Sequence, residues 1–310
     1  MTHRWTAPTG LEEAMAVLAA DAEARPVAGG TDLVVAARQG RRSLPDSLVA
    51  IHLIPELAGQ RLADDGALLL GALTSHAWLA TAEEVRSGWT ALADAAAIVG
   101  SPATRGTGTI GGNLMNASPA AETVGPLVVA GAAVTLASRA GSREIAVADL
   151  ATGPGRTAAR ADELLVRVRV PALPAGSGSA YVRLEYRGAM EIAVVGATAV
   201  LVLEGGSGGK GAGGIREARI ALTAVAPTVV RAPAAEALLA GRAPDSAALR
   251  EAGEAAARSA NPIGDVRASA GYRDAMIRVV VTRALAAAAR RAAGEPIPIP
   301  ASRWAHGQRV

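Results

Sequence analysis

The sequence predicts an α+β fold: two small α/β units in succession, then an antiparallel sheet with helices. Three observations predict it. Short apolar strand-like runs alternate with short helical patterns over the first 170 residues. A stretch rich in Pro, Gly and Ser, Pro171–Ser179, then interrupts the pattern. Beyond it lie three longer apolar runs followed by three Ala-rich helical patterns.

The elements follow in order. Leu11, Met15 and Leu18 fall on one face of a helix over Leu11–Ala20, with Glu12 and Glu13 near its start. A strand over Arg25–Ala28 runs into Gly29-Gly30, Asp32–Arg38 supplies a helical turn or two, and Leu48–Ile51 is a strand. The second unit opens with a strand at Ala67–Gly71 and helices at Ser75–Thr81 and Trp89–Val99. Val124–Ala130 reads as helix, and Ala133–Ala137 and Glu163–Val170 as strands. Tyr181–Tyr186, Ala193–Glu204 and Arg216–Ala226 are the strands of the third unit. Helices follow at Ala232–Ala240, Ser246–Arg258 and Gly271–Ala293, then an extended tail from Glu295 with three prolines.

Composition narrows the function. Of 310 residues, half are hydrophobic but only 2% aromatic, with no Phe, so the core must be Ala, Val, Leu and Ile. The net charge of +3 is spread along the chain, without the clustered cations or stacking aromatics of a nucleic-acid binder. The absence of Cys excludes disulfides, a cysteine-ligated iron–sulfur cluster and a cysteinyl-linked cofactor on this chain. His3, His52, His76 and His306 fit no zinc spacing. The N-terminal segment lacks the apolar core of a signal peptide, and no apolar run reaches the roughly 20 residues that span a bilayer, so a cytoplasmic protein is expected.

Two glycine-rich stretches carry the functional signal. Ala28-Gly29-Gly30-Thr31-Asp32-Leu33 follows a strand without the G-x-G-x-x-G spacing of a Rossmann turn. Gly106-Thr107-Gly108-Thr109-Ile110-Gly111-Gly112-Asn113 is free of charge and dense in glycine. Bare backbone of this kind admits an anion that a Cβ would hold away. Two such turns suit two adjacent phosphates, hence a dinucleotide, and FAD is the expected one. Arg105 precedes the second stretch, and Asn116, Ser118 and Glu122 follow it. Gly205–Gly214 imitates a phosphate loop, but Gly211 stands where a Ser or Thr should follow Lys210, so it reads as a hairpin loop. No Ser-His-Asp set is visible, and Asp64-Asp65 and Glu83-Glu84 are adjacent carboxylates of a solvated surface. A bound redox cofactor must carry the chemistry.

Together with Gly71-Ala72-Leu73-Thr74, Tyr186–Ala193 and Asp265–Arg273, these stretches make the chain resemble the FAD-binding medium subunit of molybdenum hydroxylases. That family includes the carbon monoxide dehydrogenase medium subunit and the flavin domain of xanthine dehydrogenase. The resemblance runs from about Trp5 to Leu285. It implies FAD-binding subdomains at 1–56 and 57–171 that clasp FAD in the manner of the PCMH-like, type 2 FAD-binding fold. A third at 172–290 would resemble the carbon monoxide dehydrogenase flavoprotein C-terminal domain, with a tail at 291–310. Carried over by position, it implies that Ala28, Gly29, Gly30, Thr31, Asp32, Leu33, Thr109, Gly111, Gly112, Asn113 and Asn116 contact non-covalent FAD. Glu122 stands where the family usually has Asp, for the ribityl or adenosine part. Leu165 and Arg183 match positions that line the ring. Leu150-Ala151-Thr152-Gly153 replaces an aromatic-rich segment, and Ile192 replaces a ring-stacking aromatic.

The implied role is electron transfer. Electrons would come from 2Fe–2S clusters on a small subunit, fed by a large molybdenum-pterin subunit. They would leave through FAD to NAD, a quinone or oxygen. A stand-alone flavin oxidase, or a family member that has lost FAD, would share parts of the pattern.

Overall fold

The structure, a computed structural model, describes residues 3–205 and 213–307. The chain gathers into two compact units. Unit 1 takes residues 1–78, 102–117 and 131–171; unit 2 takes 79–101, 118–130 and 172–310.

Unit 1 holds two principal sheets. The first is parallel, with β1 (Arg4–Thr6) and β2 (Ala24–Val27) on either side of β3 (Ser47–Ala50). Helices α1 (Leu11–Ala20) and α2 (Thr31–Arg38) make the crossovers that parallel pairing requires. Ala14 and Leu18 of α1 join Ala24, Val49, Ile51, Ile54 and Leu57 in its core. The second sheet is antiparallel, in the order β4 (Gln60–Leu62), β5 (Leu68–Gly71), β10 (Leu164–Val170), β6 (Ala133–Ser138), β7 (Gly141–Ala146). A ribbon of β8 (Ala151–Gly153) and β9 (Arg156–Thr157) lies between β7 and β10 in sequence, after the short helix α9 (Val147–Leu150). The first turn of α3 (His76–Thr81), α6 (Pro102–Thr107) and α7 (Ile110–Met115) complete the unit.

Unit 2 is built on the antiparallel sheet β11 (Ser177–Leu184), β12 (Val195–Leu203), β13 (Ile215–Thr223), β14 (Val230–Arg231). All nine residues of β12 are buried, because both faces of the sheet are covered. One face packs on α10 (Pro233–Leu239), α11 (Ser246–Ala257) and α12 (Ala270–Ala292). Helices from earlier in the chain cover the other: α5 (Thr90–Ile98) and α8 (Val124–Val129), with α4 (Glu83–Gly88) beside α5. With alanines in place of aromatics, the elements approach closely. A Cβ at Gly178 would lie 2.2 Å from the Ala288 carbonyl oxygen of α12, so β11 needs glycine there. Asp245 and Ser269 cap α11 and α12 with side-chain oxygens.

The long elements match the sequence reading within a few residues. The expected extended tail instead ends in a helix, α13 (Ala301–His306), whose Ala301 and Ala305 are buried against the core of unit 2. The second glycine stretch, expected as a bare turn, enters the helix α7 from Ile110 onward. Most of Gly205–Gly214 lies outside the described residues. No helix among the described residues is long and apolar enough to cross a membrane.

Candidate functional site

In unit 1 the two glycine stretches meet. A Cβ on Gly29 would stand 1.9 Å from the Thr107 carbonyl oxygen, and one on Gly108 would stand 3.6 Å from Thr31 Oγ1. The third motif joins them: the Ala72 carbonyl accepts from Gly111 N at 2.9 Å and the Thr74 carbonyl from Ile110 N at 2.9 Å. Motifs some 75 residues apart thus form one surface.

Their glycines do different work. Gly29 and Gly111 serve backbone-to-backbone packing, since a Cβ on Gly111 would lie 2.7 Å from the Ala72 oxygen. Gly30 adopts φ +65°, a left-handed conformation that glycine takes without strain, and turns the chain into α2. Gly112 is exposed, and a Cβ there would meet only Thr109 Oγ1, at 3.0 Å.

The free donors lie at α2 rather than α7. In α7, Ile110, Gly111 and Gly112 give their N–H groups to Thr74, Ala72 and the Thr109 hydroxyl. The expectation that both glycine stretches present open N–H groups is corrected for Ile110, Gly111 and Gly112: packing on the Ala72–Thr74 segment takes the first two and the Thr109 cap takes the third. At α2 no side chain caps the helix, and among the described residues the N–H groups of Thr31, Asp32 and Leu33 have no protein partner. Three adjacent donors at a helix start, where the macrodipole is positive, form a site for an anion. Asp32 is exposed and its carboxylate takes no hydrogen bond from the protein, which leaves it for a hydroxyl-bearing ligand. Ala28, Leu33 and Asn113 are half-buried around this surface, Thr109 is buried and Asn116 is exposed. This donor set fits a diphosphate.

His76, passed over as a scattered histidine, stands beside it. Its backbone N–H donates to the Gly108 carbonyl at 3.1 Å, and its ring edge is 3.3 Å from where a Gly108 Cβ would be. Burial, and then the Arg105 charge, push its pKa down to about 4, so the imidazole is neutral at neutral pH. Its Nδ1 is buried with no partner among the described residues. The one signal in the sequence is its place two residues after Gly71–Thr74.

The remaining expected residues sit elsewhere. Leu165 is buried in β10, paired with Leu136. Glu122 and Arg183 belong to unit 2, where Arg183 Nη1 donates to Glu122 at 2.5 Å and Nε to Glu185 at 2.6 Å. Arg183 has no exposed surface, so its guanidinium is closed to a ligand. The expected cation beside a ring is instead the internal counter-ion of two carboxylates. Ile192 is 42% exposed. The motifs Tyr186–Ala193 and Asp265–Arg273 also meet in this unit: the Tyr186 hydroxyl donates to the Arg267 carbonyl at 2.5 Å, and Arg273 donates to the carbonyl of Val194, the residue after the first motif.

Arg183 is shared between the buried Glu122 and the half-buried Glu185. Burial, opposed by Arg183, pushes Glu122 up from 4.5 to about 7. Between those values the folded state keeps a proton that the unfolded state has released. The stability this gives is full below 4.5 and lost as pH rises through about 7. We expect Glu122→Gln to gain on the parent protein by about 1–3 kcal/mol between about pH 5 and about pH 8. Urea unfolding at the two pH values measures this; a constant difference would mean that Glu122 ionises like a surface carboxyl.

Comparison with known proteins bears on the same residues. Residues 1–173 match the family model of the FAD binding domain in molybdopterin dehydrogenase, and residues 179–288 that of the CO dehydrogenase flavoprotein C-terminal domain. The 6-hydroxypseudooxynicotine dehydrogenase complex subunit alpha of Paenarthrobacter nicotinovorans is 35% identical over 91% of this chain and 93% of its own. The carbon monoxide dehydrogenase medium chain of Hydrogenophaga pseudoflava is 32% identical over 93% and 97%. A solved carbon monoxide dehydrogenase from the latter organism superposes with a TM-score of 0.86 at 33% identity, covering 94% of this chain and 98% of that one.

Proposed function

Since the chain belongs to the molybdopterin dehydrogenase family as an FAD-binding, medium-type subunit, we propose that it conveys electrons from 2Fe–2S clusters on a partner subunit, through FAD, to an external acceptor. The observation that carries this reading is the set of three unpartnered N–H groups at the start of α2, beside Thr107 and Gly108. Bound FAD supplies the redox chemistry, exchanging electrons singly or in pairs.

The residues of this chain hold and orient it. The N–H groups of Thr31, Asp32 and Leu33, with the Thr31 hydroxyl, meet the diphosphate. Arg105 adds positive charge, already felt at His76. Asp32 takes a ribose hydroxyl, and Asn113 and Asn116 offer amide groups. None of these is an acid or base poised for proton transfer to substrate, in keeping with a subunit that moves electrons.

The partners we propose are a large molybdenum-pterin subunit and a small 2Fe–2S subunit, with NAD, a quinone or oxygen as acceptor and a cytoplasmic setting. The absence of Cys from this chain supports clusters on another chain. Co-expression with its neighbouring reading frames, followed by purification through a tag on this chain, tests the proposal. The expected result is one FAD per chain, released free on denaturation, with a large molybdenum-containing chain and a small Cys-rich chain bound. A yellow protein purified alone with flavin that survives denaturation would identify a stand-alone oxidase. A colourless one that takes up no added FAD would remove the cofactor altogether.

A further inference from the structure

The sheet of unit 2 has two unlike faces. On one, Ala180, Val182, Ala197, Ala199, Ile220 and Leu222 join the apolar core. The alternate residues on the other include Tyr181, Arg183, Thr198 and Thr223. Register sets Tyr181 opposite Thr198, and Arg183 opposite Gly196, which in turn faces Thr223. This polar face is sealed: Tyr181, Thr198 and Thr223 have no exposed surface.

Two glycines let these side chains close onto bare backbone. A Cβ on Gly125 of α8 would lie 2.6 Å from Thr198 Oγ1 and 3.2 Å from Thr223 Oγ1. A Cβ on Gly196 would lie 2.6 Å from the Tyr181 hydroxyl and 3.1 Å from Thr223 Cβ. The Thr198 and Thr223 hydroxyls therefore lie against Gly125, and the Tyr181 hydroxyl lies against Gly196 beside Thr223; none of the three has a hydrogen-bond partner among the described residues. One orphaned buried hydroxyl is costly and uncommon, and three neighbours call for a common cause.

We infer that unit 2 binds an internal water between Gly125 and Gly196, held by the hydroxyls of Tyr181, Thr198 and Thr223. Each hydroxyl can donate or accept, and a buried water makes about three hydrogen bonds to otherwise unsatisfied groups. The surroundings select water over other small ligands. An anion would face the charges of Glu122 and Glu185, both felt at Tyr181, while Arg183 is already committed to those carboxylates. A metal cation would find neutral hydroxyls where it needs carboxylates or carbonyls. An apolar guest would leave the hydroxyls unsatisfied.

Thr198→Val, Thr223→Val and Tyr181→Phe, made singly in the full chain, test the inference. Each is expected to lower Tm by about 2–4 °C. The double variant Thr198→Val/Thr223→Val should lose less than the sum, because both lost bonds ran to one molecule. A high-resolution crystal structure should show a density peak about 2.8 Å from all three oxygens. A dry cluster gives the opposite sign, since removing an unsatisfied hydroxyl stabilises. Unchanged or raised Tm values would overturn the assignment, and so would an empty map at this position. If a variant fails to fold, the map of the parent protein decides.

Discussion

Asp94→Ala is expected to destabilise unit 2 by about 3–5 kcal/mol. Asp94 has no exposed surface. Its two oxygens receive Arg291 Nη1 at 2.6 Å and Nη2 at 2.9 Å, the Tyr181 N–H at 3.1 Å and the Ala301 N–H at 2.9 Å. One carboxylate on α5 therefore joins β11, α12 and the start of α13. Truncation would leave a guanidinium in the interior and two N–H groups without their acceptor. Arg291 keeps carbonyl partners in Ser179, Ile297 and Pro298, but none carries charge. Coulomb attraction is not itself the source of the loss; the uncompensated buried cation is. The control is Asp94→Leu with Arg291→Met, which removes both charges together and is expected to lose less than Asp94→Ala. Denaturant unfolding of the three proteins measures the order. If the double variant is the less stable, the pair contributes net attraction rather than mutual neutralisation.

Asp94 and Arg291 are 197 residues apart, and no periodicity in the sequence joins them. What the sequence did disclose was repetitive. β12 and α12 bury long, regular sets of side chains, and the reading placed both within about two residues. β1 and β4 escaped notice because every residue of each is exposed, which leaves no alternation to detect. The helix α7 was hidden by Gly111 and Gly112, poor helix formers; it is held by bonds to Ala72 and Thr74 rather than by propensity. The candidate site shows the same division. The glycine motifs pointed to the right surface, but not to which stretch keeps its donors free, because Gly111 N and Ile110 N are consumed by a strand end some 40 residues earlier. His76 and the Glu122–Arg183 pair depend on burial, which a single sequence does not display.

Gly29→Ala and Gly112→Val should both abolish FAD retention, with opposite consequences for the fold. At Gly29 the new methyl would stand 1.9 Å from the Thr107 oxygen and 2.7 Å from its carbonyl carbon. Both belong to backbone, so the two stretches must separate and the donors of α2 lose their neighbour. Affinity for FAD is expected to fall about 100-fold or more, equivalent to about 2.7 kcal/mol, and unit 1 to lose stability with it. Gly112 makes no such demand. It is exposed, and its nearest obstacle is the Thr109 hydroxyl at 3.0 Å. Valine is a better helix residue than glycine by a few tenths of a kcal/mol, so the apo fold should stand within about 1 kcal/mol of the parent. The valine methyls nevertheless cover the bare backbone beside the cradle, and flavin should be lost. Flavin fluorescence after denaturation gives the FAD content, and circular dichroism with thermal unfolding gives the fold. Stoichiometric FAD in a well-folded Gly112→Val protein would remove α7 from the cofactor surface and leave α2 to hold the diphosphate alone. FAD retained by Gly29→Ala would remove the paired cradle itself, since no diphosphate site survives the separation of its two walls.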